Sequence, residues 1–187
     1  MLELIPVVET RDLGWIDPKT NVAGLYQLNR LSKAELQAAI DFLLELPEGI
    51  EETIEDSCPL FGGVIVVVDG RPRLRPQCCG DLSDINDWFR MAEDTFSESY
   101  ICNEGHPAPY ASRHGDALII TCREEGEEFS PGTDPEFVVQ RSELLKALPS
   151  LRAELEQFCR TVDELSDRYG VARLSRILVA VEPVVPG

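Results

Sequence analysis

The sequence lacks any long hydrophobic run. Its longest run, Val64 to Val68, has the length of a strand, whereas a membrane-spanning helix needs roughly 18 or more apolar residues. The first ten residues, MLELIPVVET, place Glu3 after a single leucine and contain no basic region, so they do not resemble a secretory signal. These absences predict a soluble, cytoplasmic protein that makes no contact with a membrane.

Basic residues are also few. The chain has 17 lysines and arginines against 34 aspartates and glutamates, which gives a formal net charge of −17. Binding to nucleic-acid phosphates or to anionic lipid needs a basic surface, so this balance argues against a nucleic-acid partner. We expect any macromolecular partner to be a basic protein. The alternative is that the charge serves solubility alone.

Residues and motifs that carry chemistry are scarce. Only two histidines are present, and six cysteines are spread along 187 residues, a length that needs no disulfides for stability. We therefore expect reduced thiols. The sequence has no Gly-rich phosphate loop, no Gly-x-Ser-x-Gly motif and no His-Glu-x-x-His motif. The leading prediction includes no catalytic residue, no metal ion and no cofactor.

The composition and the local residue patterns predict an α+β fold. With 43% hydrophobic residues, the chain can build a core, and we predict a single domain over residues 1–187. Its mixed or antiparallel sheet is expected to pack against about three helices. Ser32 and Glu35 form a capping-box pattern at the start of a helix that Pro47 ends. The stretch GGVIVVVDGRPRLRPQ predicts a β-hairpin with a central first strand.

The residue patterns of three further segments predict their secondary structure. Pro6 is expected to put the first strand, in LELIPVV, at a sheet edge. The prolines and glycines of residues 103–116, NEGHPAPYASRHGD, favour an extended loop, and ALIITC and FVVQ on either side of a charged connection read as strands. Pro149 is expected to kink or divide the long helical segment that follows FVVQ.

That helical segment carries an apolar stripe. Its members are spaced alternately four and three residues apart, and they are Leu144, Leu148, Leu151, Leu155, Phe158, Val162 and Leu165. The stripe predicts packing on the chain's own sheet, because it extends over only about three heptads. The alternative is oligomerisation, in which the stripe pairs with a second copy in a coiled coil and the protein acts as a scaffold.

The segment RPQCCGDLSDINDWF, residues 75–89, joins the predicted hairpin to the next helix. Asp81 or Asp84 is a natural N-cap, and the helix dipole favours each acid of the first turn by about 0.3–1 kcal/mol. Alternatively, Asp81, Asp84 and Asp87 gather a divalent cation. The N-cap interpretation is favoured, and it leaves any functional role to outward-facing acids.

The adjacent cysteines of this segment allow two further hypotheses. Cys78, Cys79, Cys102 and His106 contain ligand types that zinc prefers, but their spacing is not that of a structural zinc site. A cysteine-dependent enzyme would use Cys79 as nucleophile and His106 as base, although the neighbouring aspartates oppose formation of the thiolate. A cysteine- or zinc-dependent enzyme using Cys79 and His106 is the first alternative function.

Acidic and aromatic side chains are the candidates for binding a basic partner. One acidic cluster extends from Glu45 to Asp56 and a second contains Glu124, Glu125, Glu127 and Glu128, while GHPAPY joins His106 and Tyr110 on a stiff loop. Most acidic runs are only solvated faces. The predicted partner-binding residues are Asp81, Asp84, Asp87, His106, Tyr110, Glu51, Glu52 and Glu55.

Three stretches resemble, in general style, the immunity proteins of bacterial toxin systems. They are PQCCGDLSDINDW, the GHPAPY loop and the strand-to-helix passage FVVQRSELLKALPSLRAELEQF. The resemblance implies a bacterial, non-enzymatic protein that binds a cognate toxin tightly through acidic and aromatic groups. Toxin inhibition of this kind is the leading expectation for function.

Overall fold

The computed structural model describes residues 1–44, 54–102 and 105–181. These residues form eight strands, listed with their bounds as β1 Leu2–Glu9, β2 Leu25–Gln27, β3 Gly62–Val68, β4 Arg71–Leu74, β5 Glu98–Tyr100, β6 Tyr110–His114, β7 Ala117–Thr121 and β8 Glu136–Gln140. They also form five α-helices: α1 Lys33–Leu44, α2 Ile85–Met91, α3 Arg141–Asp163, α4 Ser166–Tyr169 and α5 Ser175–Leu178. Single 3-10 turns lie at Leu28–Arg30, Ile54–Asp56 and Leu82–Asp84. The predicted α+β class is confirmed.

The first sheet has the strand order β2-β1-β3-β4, and every pair in it is antiparallel. The predicted hairpin is confirmed as β3 and β4, with β3 inside the sheet. The prediction that Pro6 puts β1 at an edge is wrong, because β1 lies between β2 and β3. The Glu9 N–H donates to Phe61 O of the β3 side. Alternate nitrogens point to opposite neighbours, so Pro6 N faces β2, which reaches only as far as Val7.

Both faces of the first sheet are covered. Leu4, Val8, Val64 and Val66 belong to the main core. On the opposite face, a small cluster of buried residues consists of Ile5, Val7, Leu25, Ile65 and Val67, with Val22 packed against it. The loop before β2 is fixed beside this cluster by Asp17, whose carboxylate accepts the N–H groups of Lys19 and Gln27 at 2.9 Å each. The continuous apolar sequence of β3 is therefore that of a strand buried on both sides.

The second sheet follows the chain in the order β5-β6-β7-β8, again with antiparallel pairs only. The strands predicted in ALIITC and FVVQ are confirmed as β7 and β8. The loop prediction for residues 103–116 is wrong in its second half, because YASRH forms β6. Gly115, at a φ of 65°, lies in the turn between β6 and β7. The alternation of Tyr110 to His114 is too short to be recognised beside Pro107, Pro109 and Gly115.

Helix α3 closes the main core. All seven members of its apolar stripe are buried, including Leu144, Leu151 and Val162 at 0% exposure, and the helix packs on β1, β8 and α5. Packing on the chain's own sheet is confirmed, so association through the stripe would require α3 to leave the core. Pro149 does not divide the helix. The carbonyl of Leu145, which Pro149 leaves without a helical partner, belongs to a residue that is 45% exposed to water.

Local signals at α1 and across the core also agree with the sequence. The capping box is confirmed: Ser32 N donates to Glu35 Oε2 at 2.8 Å, and Glu35 N donates to Ser32 Oγ at 3.3 Å. The predicted end of this helix at Pro47 lies outside the described residues.

One cluster of buried side chains takes members from both sheets and from α1, α2 and α3. Among the helices of the described residues, none is both long and apolar enough to cross a membrane.

Candidate functional site

One face of the second sheet is open. Inward-pointing side chains such as Ala111, Leu118, Ile120 and Val139 are at most 2% exposed, whereas the outward side chains of the same strands are partly or fully exposed. This alternation is typical of an antiparallel sheet with a core on one side only. We call the outward side the open face, formed by Glu98, Tyr100, Tyr110, Ser112, His114, Ala117, Ile119, Thr121, Glu136, Val138 and Gln140.

Strand register arranges the open face in rows. One row runs across all four strands as Tyr100, Tyr110, Thr121 and Glu136. The next row consists of Glu98, Ser112, Ile119 and Val138. Residues opposite each other in adjacent strands lie close enough to interact, so each row is a line of side-chain contacts. The face therefore places two aromatic and two aliphatic side chains side by side, with a carboxylate at the end of each row.

The two tyrosines form the most prominent feature of this face. Their ring centroids are 5.2 Å apart in an edge-to-face arrangement, and Tyr100 is 54% exposed. Tyr110 is also hydrogen-bonded through its hydroxyl to Glu98, which raises the pKa of Tyr110 above its ordinary value. The predicted binding residue Tyr110 thus lies on an exposed surface, together with Tyr100 and Glu98, which the sequence did not single out.

An acidic loop adjoins the tyrosine row. The segment 122–135 connects Thr121 of β7 to Glu136 of β8, and these two residues belong to the same row as the tyrosines. Within it, all residues from 123 to 128 are exposed, including the four glutamates of the second acidic cluster. The exposed stretch and the tyrosine pair therefore share one end of the sheet.

The other half of this loop is held by the segment that contains the adjacent cysteines. The buried side chain of Gln77 accepts Ser130 N at 2.8 Å through Oε1 and donates to Arg75 O at 2.6 Å through Nε2. Asp134 forms an ion pair with Arg73 of β4, and its N–H donates to Arg73 O. The acidic stretch is thus fixed at both ends, by β7 on one side and by these bonds on the other.

Asp87 supports the edge strand that carries Tyr100. Its Oδ2 accepts Cys102 N at 2.7 Å, and its Oδ1 pairs with Arg90 Nη2 at 2.8 Å. Arg90 in turn donates to Ser99 Oγ at 3.3 Å. Burial raises the pKa of Asp87, while the Cys102 N–H and Arg90 act in the opposite direction. Asp87, predicted to bind a partner, has a structural role in holding β5.

The prediction of outward-facing acids is wrong for Asp81 and Asp84. Both are only 7% exposed, because they form a reciprocal cap: Asp81 Oδ1 accepts Ser83 N at 2.7 Å, and Asp81 N donates to Asp84 Oδ2 at 3.2 Å. The N-cap interpretation is confirmed for the 3-10 turn Leu82–Asp84, which leads directly into α2, whereas Asp84 as N-cap of α2 itself makes no side-chain cap bond. Of the other predicted partner-binding acids, Glu55 is exposed, whereas Glu51 and Glu52 lie outside the described residues.

The adjacent cysteines lie at a tight junction next to His106. Both thiols are exposed, with their Sγ atoms 3.4 Å apart, and Cys79 has a φ of 66°. The His106 N–H donates to Cys78 O at 2.8 Å, so the backbone brings the predicted cysteine and histidine segments together. Gly80 fits closely here, because a Cβ would lie 3.3 Å from both Asp84 Oδ2 and Gln77 O.

Zinc and thiolate chemistry find little support at this junction. Cys102 is a half-buried residue, and burial together with Asp84 and Asp87 raises the pKa of its thiol well above the usual value. The hydrogen bond with Cys79 raises the pKa of Cys78. Within residues 1–44, 54–102 and 105–181, no three His, Cys, Asp or Glu side chains are grouped so that they could hold a metal ion. The arrangement favours the thiol form of Cys78 and of Cys102.

The sequence patterns did not identify several residues that the structure places at the candidate site. Tyr100, Ile119 and Val138 carry a visible signal, the alternation in ESY, ALIIT and EFVVQ, but alternation does not reveal which side meets the core. Gln77 had no signal, because its partners Ser130 and Thr133 are more than fifty residues away. No family model matches this chain, and neither the search of curated proteins nor that of solved structures finds a match.

Proposed function

We propose that this protein is a non-enzymatic inhibitor that binds a basic protein, in the manner of immunity proteins that neutralise bacterial toxins in the cytoplasm. The observation that carries the proposal is the open face, on which Tyr100 and Tyr110 lie at the same end of the sheet as the acidic loop. Such a surface combines exposed aromatic side chains with a charged border, a combination that also occurs in protein interfaces.

The tyrosine pair supplies the anchor. Tyrosines are enriched among the residues that dominate binding energy, because a ring buries a large area while fixing only two torsions. Here Tyr100 already packs edge-to-face against the Tyr110 ring, with 5.2 Å between the ring centroids. Less side-chain entropy is therefore lost when a partner covers the pair, and Val138, which is 46% exposed, extends the apolar area.

The acidic residues favour a partner of opposite charge. The chain carries a net charge of −17, and the exposed glutamates of the acidic loop lie next to the tyrosine row. A field of one sign accelerates the encounter with a partner of opposite sign and disfavours acidic competitors. A basic toxin domain fits this surface, because its charge complements the loop while its apolar groups cover the tyrosines.

The test is to examine the genes that neighbour this one for a basic toxin domain and to titrate that domain with the protein by calorimetry. Tyr100→Ala is expected to weaken binding by about 2 kcal/mol or more, as for other aromatic anchors that dominate binding energy. The control is Ile16→Ala, which removes another large apolar side chain, 56% exposed, from a loop outside the open face. Equal affinities of the two variants, or the absence of any association with the unmodified protein, would contradict the proposal.

The charge contribution is tested by association kinetics with the same partner. Glu124→Gln combined with Glu128→Gln is expected to slow association and to reduce its dependence on salt, with a smaller effect on dissociation. Glu9→Gln combined with Asp167→Asn changes the net charge equally at exposed positions away from the loop. If both pairs slow association to the same extent, net charge alone acts and the acidic loop has no special part.

A further inference from the structure

A concavity lined by four arginines is present in the described residues, although the protein is strongly acidic. It has a volume of about 520 Å³ and lies between α2, α3 and α5. Four arginines line it: Arg152 and Arg160 of α3, Arg173 just before α5, and Arg176 within α5. We call this concavity the arginine groove. It contains four of the 17 basic residues of the chain and none of the residues of the open face.

Most of these arginines have no ion-pair partner among the described residues. The lining includes two acids, Glu156 and Asp163. Asp163 is already engaged, since its Oδ2 lies 3.5 Å from Arg173 Nε and its Oδ1 accepts Ser175 N at 2.8 Å. Among the described residues, no ion pair joins Arg152, Arg160 or Arg176 to an acid. Arg160 Nη2 donates to the neutral Gln157 Oε1 at 3.2 Å, which leaves its charge unpaired. Within the described residues, the charges of three guanidinium groups in the groove are therefore not matched by an ion pair.

The size and walls of the groove restrict the kind of anion. Its volume falls in the range of sites for small molecules rather than for folded proteins. Phe89, Leu155 and Val181 form an apolar part of the lining, and Arg152 is held over the Phe89 ring at 5.2 Å from its centroid. A guanidinium is a planar fork of donors that matches the oxygens of a phosphate, so a cluster of three is suited to a phosphate group.

From these observations we infer that the arginine groove binds a small organic phosphate. The phosphate group would contact Arg160 and Arg176, and an apolar or planar body would lie against Leu155 and Val181. This inference does not depend on the proposed inhibitor function, because the two surfaces share no residue. It adds a ligand site to a protein whose overall charge repels anions, which is why the local concentration of arginines is informative.

The experiment measures the affinity of the full chain for four probes by calorimetry in low-salt buffer. ADP supplies phosphate and a planar body, pyrophosphate supplies phosphate alone, adenosine supplies the body alone, and citrate supplies carboxylates. We expect ADP to bind most tightly, pyrophosphate to bind more weakly and adenosine to show no measurable binding. Arg160→Gln combined with Arg176→Gln should weaken ADP binding about tenfold or more, because charged hydrogen bonds to the phosphate are lost.

The matched control is Arg30→Gln combined with Arg123→Gln. It removes the same charge from two exposed arginines that lie outside the groove. Thermal unfolding of each variant without ligand checks that the fold is kept. The inference is overturned if no phosphate probe binds, if citrate or adenosine binds as tightly as ADP, or if the control pair weakens ADP binding as much as the groove pair.

Discussion

The two sheets of this protein have the same number of strands and the same antiparallel pairing, yet they differ in what covers them. In the first sheet, Val66 faces the main core while Ile65 and Val67 face a second cluster beside the Asp17 loop. In the second sheet, Leu118 and Ile120 face the core while Ile119 is only partly buried. One sheet thus has buried side chains on both faces, whereas the other leaves the side chains of one face partly or fully exposed.

This difference shows why the open face is the better functional candidate. A side chain that is buried, on either face of a sheet, contributes to stability and is unavailable for contact with another protein. Side chains such as Tyr100 and Val138 gain little from folding, so their exposed area is available for binding. The comparison can be tested by making equal changes in the two sheets and by disturbing the contacts that shape the open face.

The largest expected effect comes from a matched pair of truncations. Ile65→Ala removes a side chain that is 1% exposed, and it should lower the free energy of unfolding by about 2–5 kcal/mol. Ile119→Ala makes the same chemical change on the open face and should cost about 1 kcal/mol or less, because less area is buried there. Urea unfolding of both variants measures the difference. Equal costs would mean that the open face is covered in solution.

An intermediate effect is expected at Asp87, which holds the edge strand of the open face. Asp87→Ala leaves the Cys102 N–H without its acceptor, at a cost of about 1–3 kcal/mol, and loosens β5. Asp87→Asn keeps an acceptor and should cost less. Urea unfolding gives the energies, and hydrogen exchange of residues 98–102 reports on the strand. If Asn is as costly as Ala, the charge on Asp87, rather than its acceptor, holds β5.

The raised pKa of Asp87 also predicts how the stability of the protein changes with pH. Because burial raises it above the ordinary value of 3.8, the folded protein binds this proton more tightly than the unfolded chain does. The contribution of Asp87 to stability therefore increases as the pH falls through the folded-state pKa, and it is lost above that pH. Asp87→Asn should remove this part of the pH dependence, which unfolding curves at several acidic pH values will show.

The smallest effect concerns the bond between Glu98 and Tyr110. Glu98→Gln removes the carboxylate that accepts the Tyr110 hydroxyl, so the pKa of Tyr110 should fall towards its ordinary value of 10.0. Ultraviolet absorbance titration of the variant against the unmodified protein measures the change. Tyr169, whose pKa burial and Asp41 raise to about 12, serves as an internal reference. An unchanged titration would show that the two side chains do not meet in solution.

Much of the fold could be predicted because its signals are local. The Ser32–Glu35 cap, the hairpin of β3 and β4 and the stripe of α3 each depend on residues close together in sequence. The wrong predictions arose where the environment of a residue is formed by other parts of the fold. Pro6 is tolerated inside the sheet because β2 ends beside it, and Pro149 lies within α3 at a position where Leu145, whose carbonyl it frees, is 45% exposed.

The candidate site was predicted less completely, for a physical reason. An acid near the start of a helix can cap it or face a partner, and Asp81 and Asp84 cap it. Tyr110 was recognised from composition, but its neighbours on the open face come from three other strands. Which side of an alternating strand meets water depends on where α3 packs, and no short stretch of sequence contains that information.

The exposed half of the acidic loop has a consequence for evolution. Residues 123–128 lie between the end of β7 and the bond that Gln77 makes to Ser130, so both ends of this stretch are fixed by other parts of the fold. Exposed loops tolerate substitution and insertion better than packed strands do. Selection can therefore alter the charge, length and shape of this stretch while the core is conserved, and a lineage can acquire a new partner without first having to restabilise its fold.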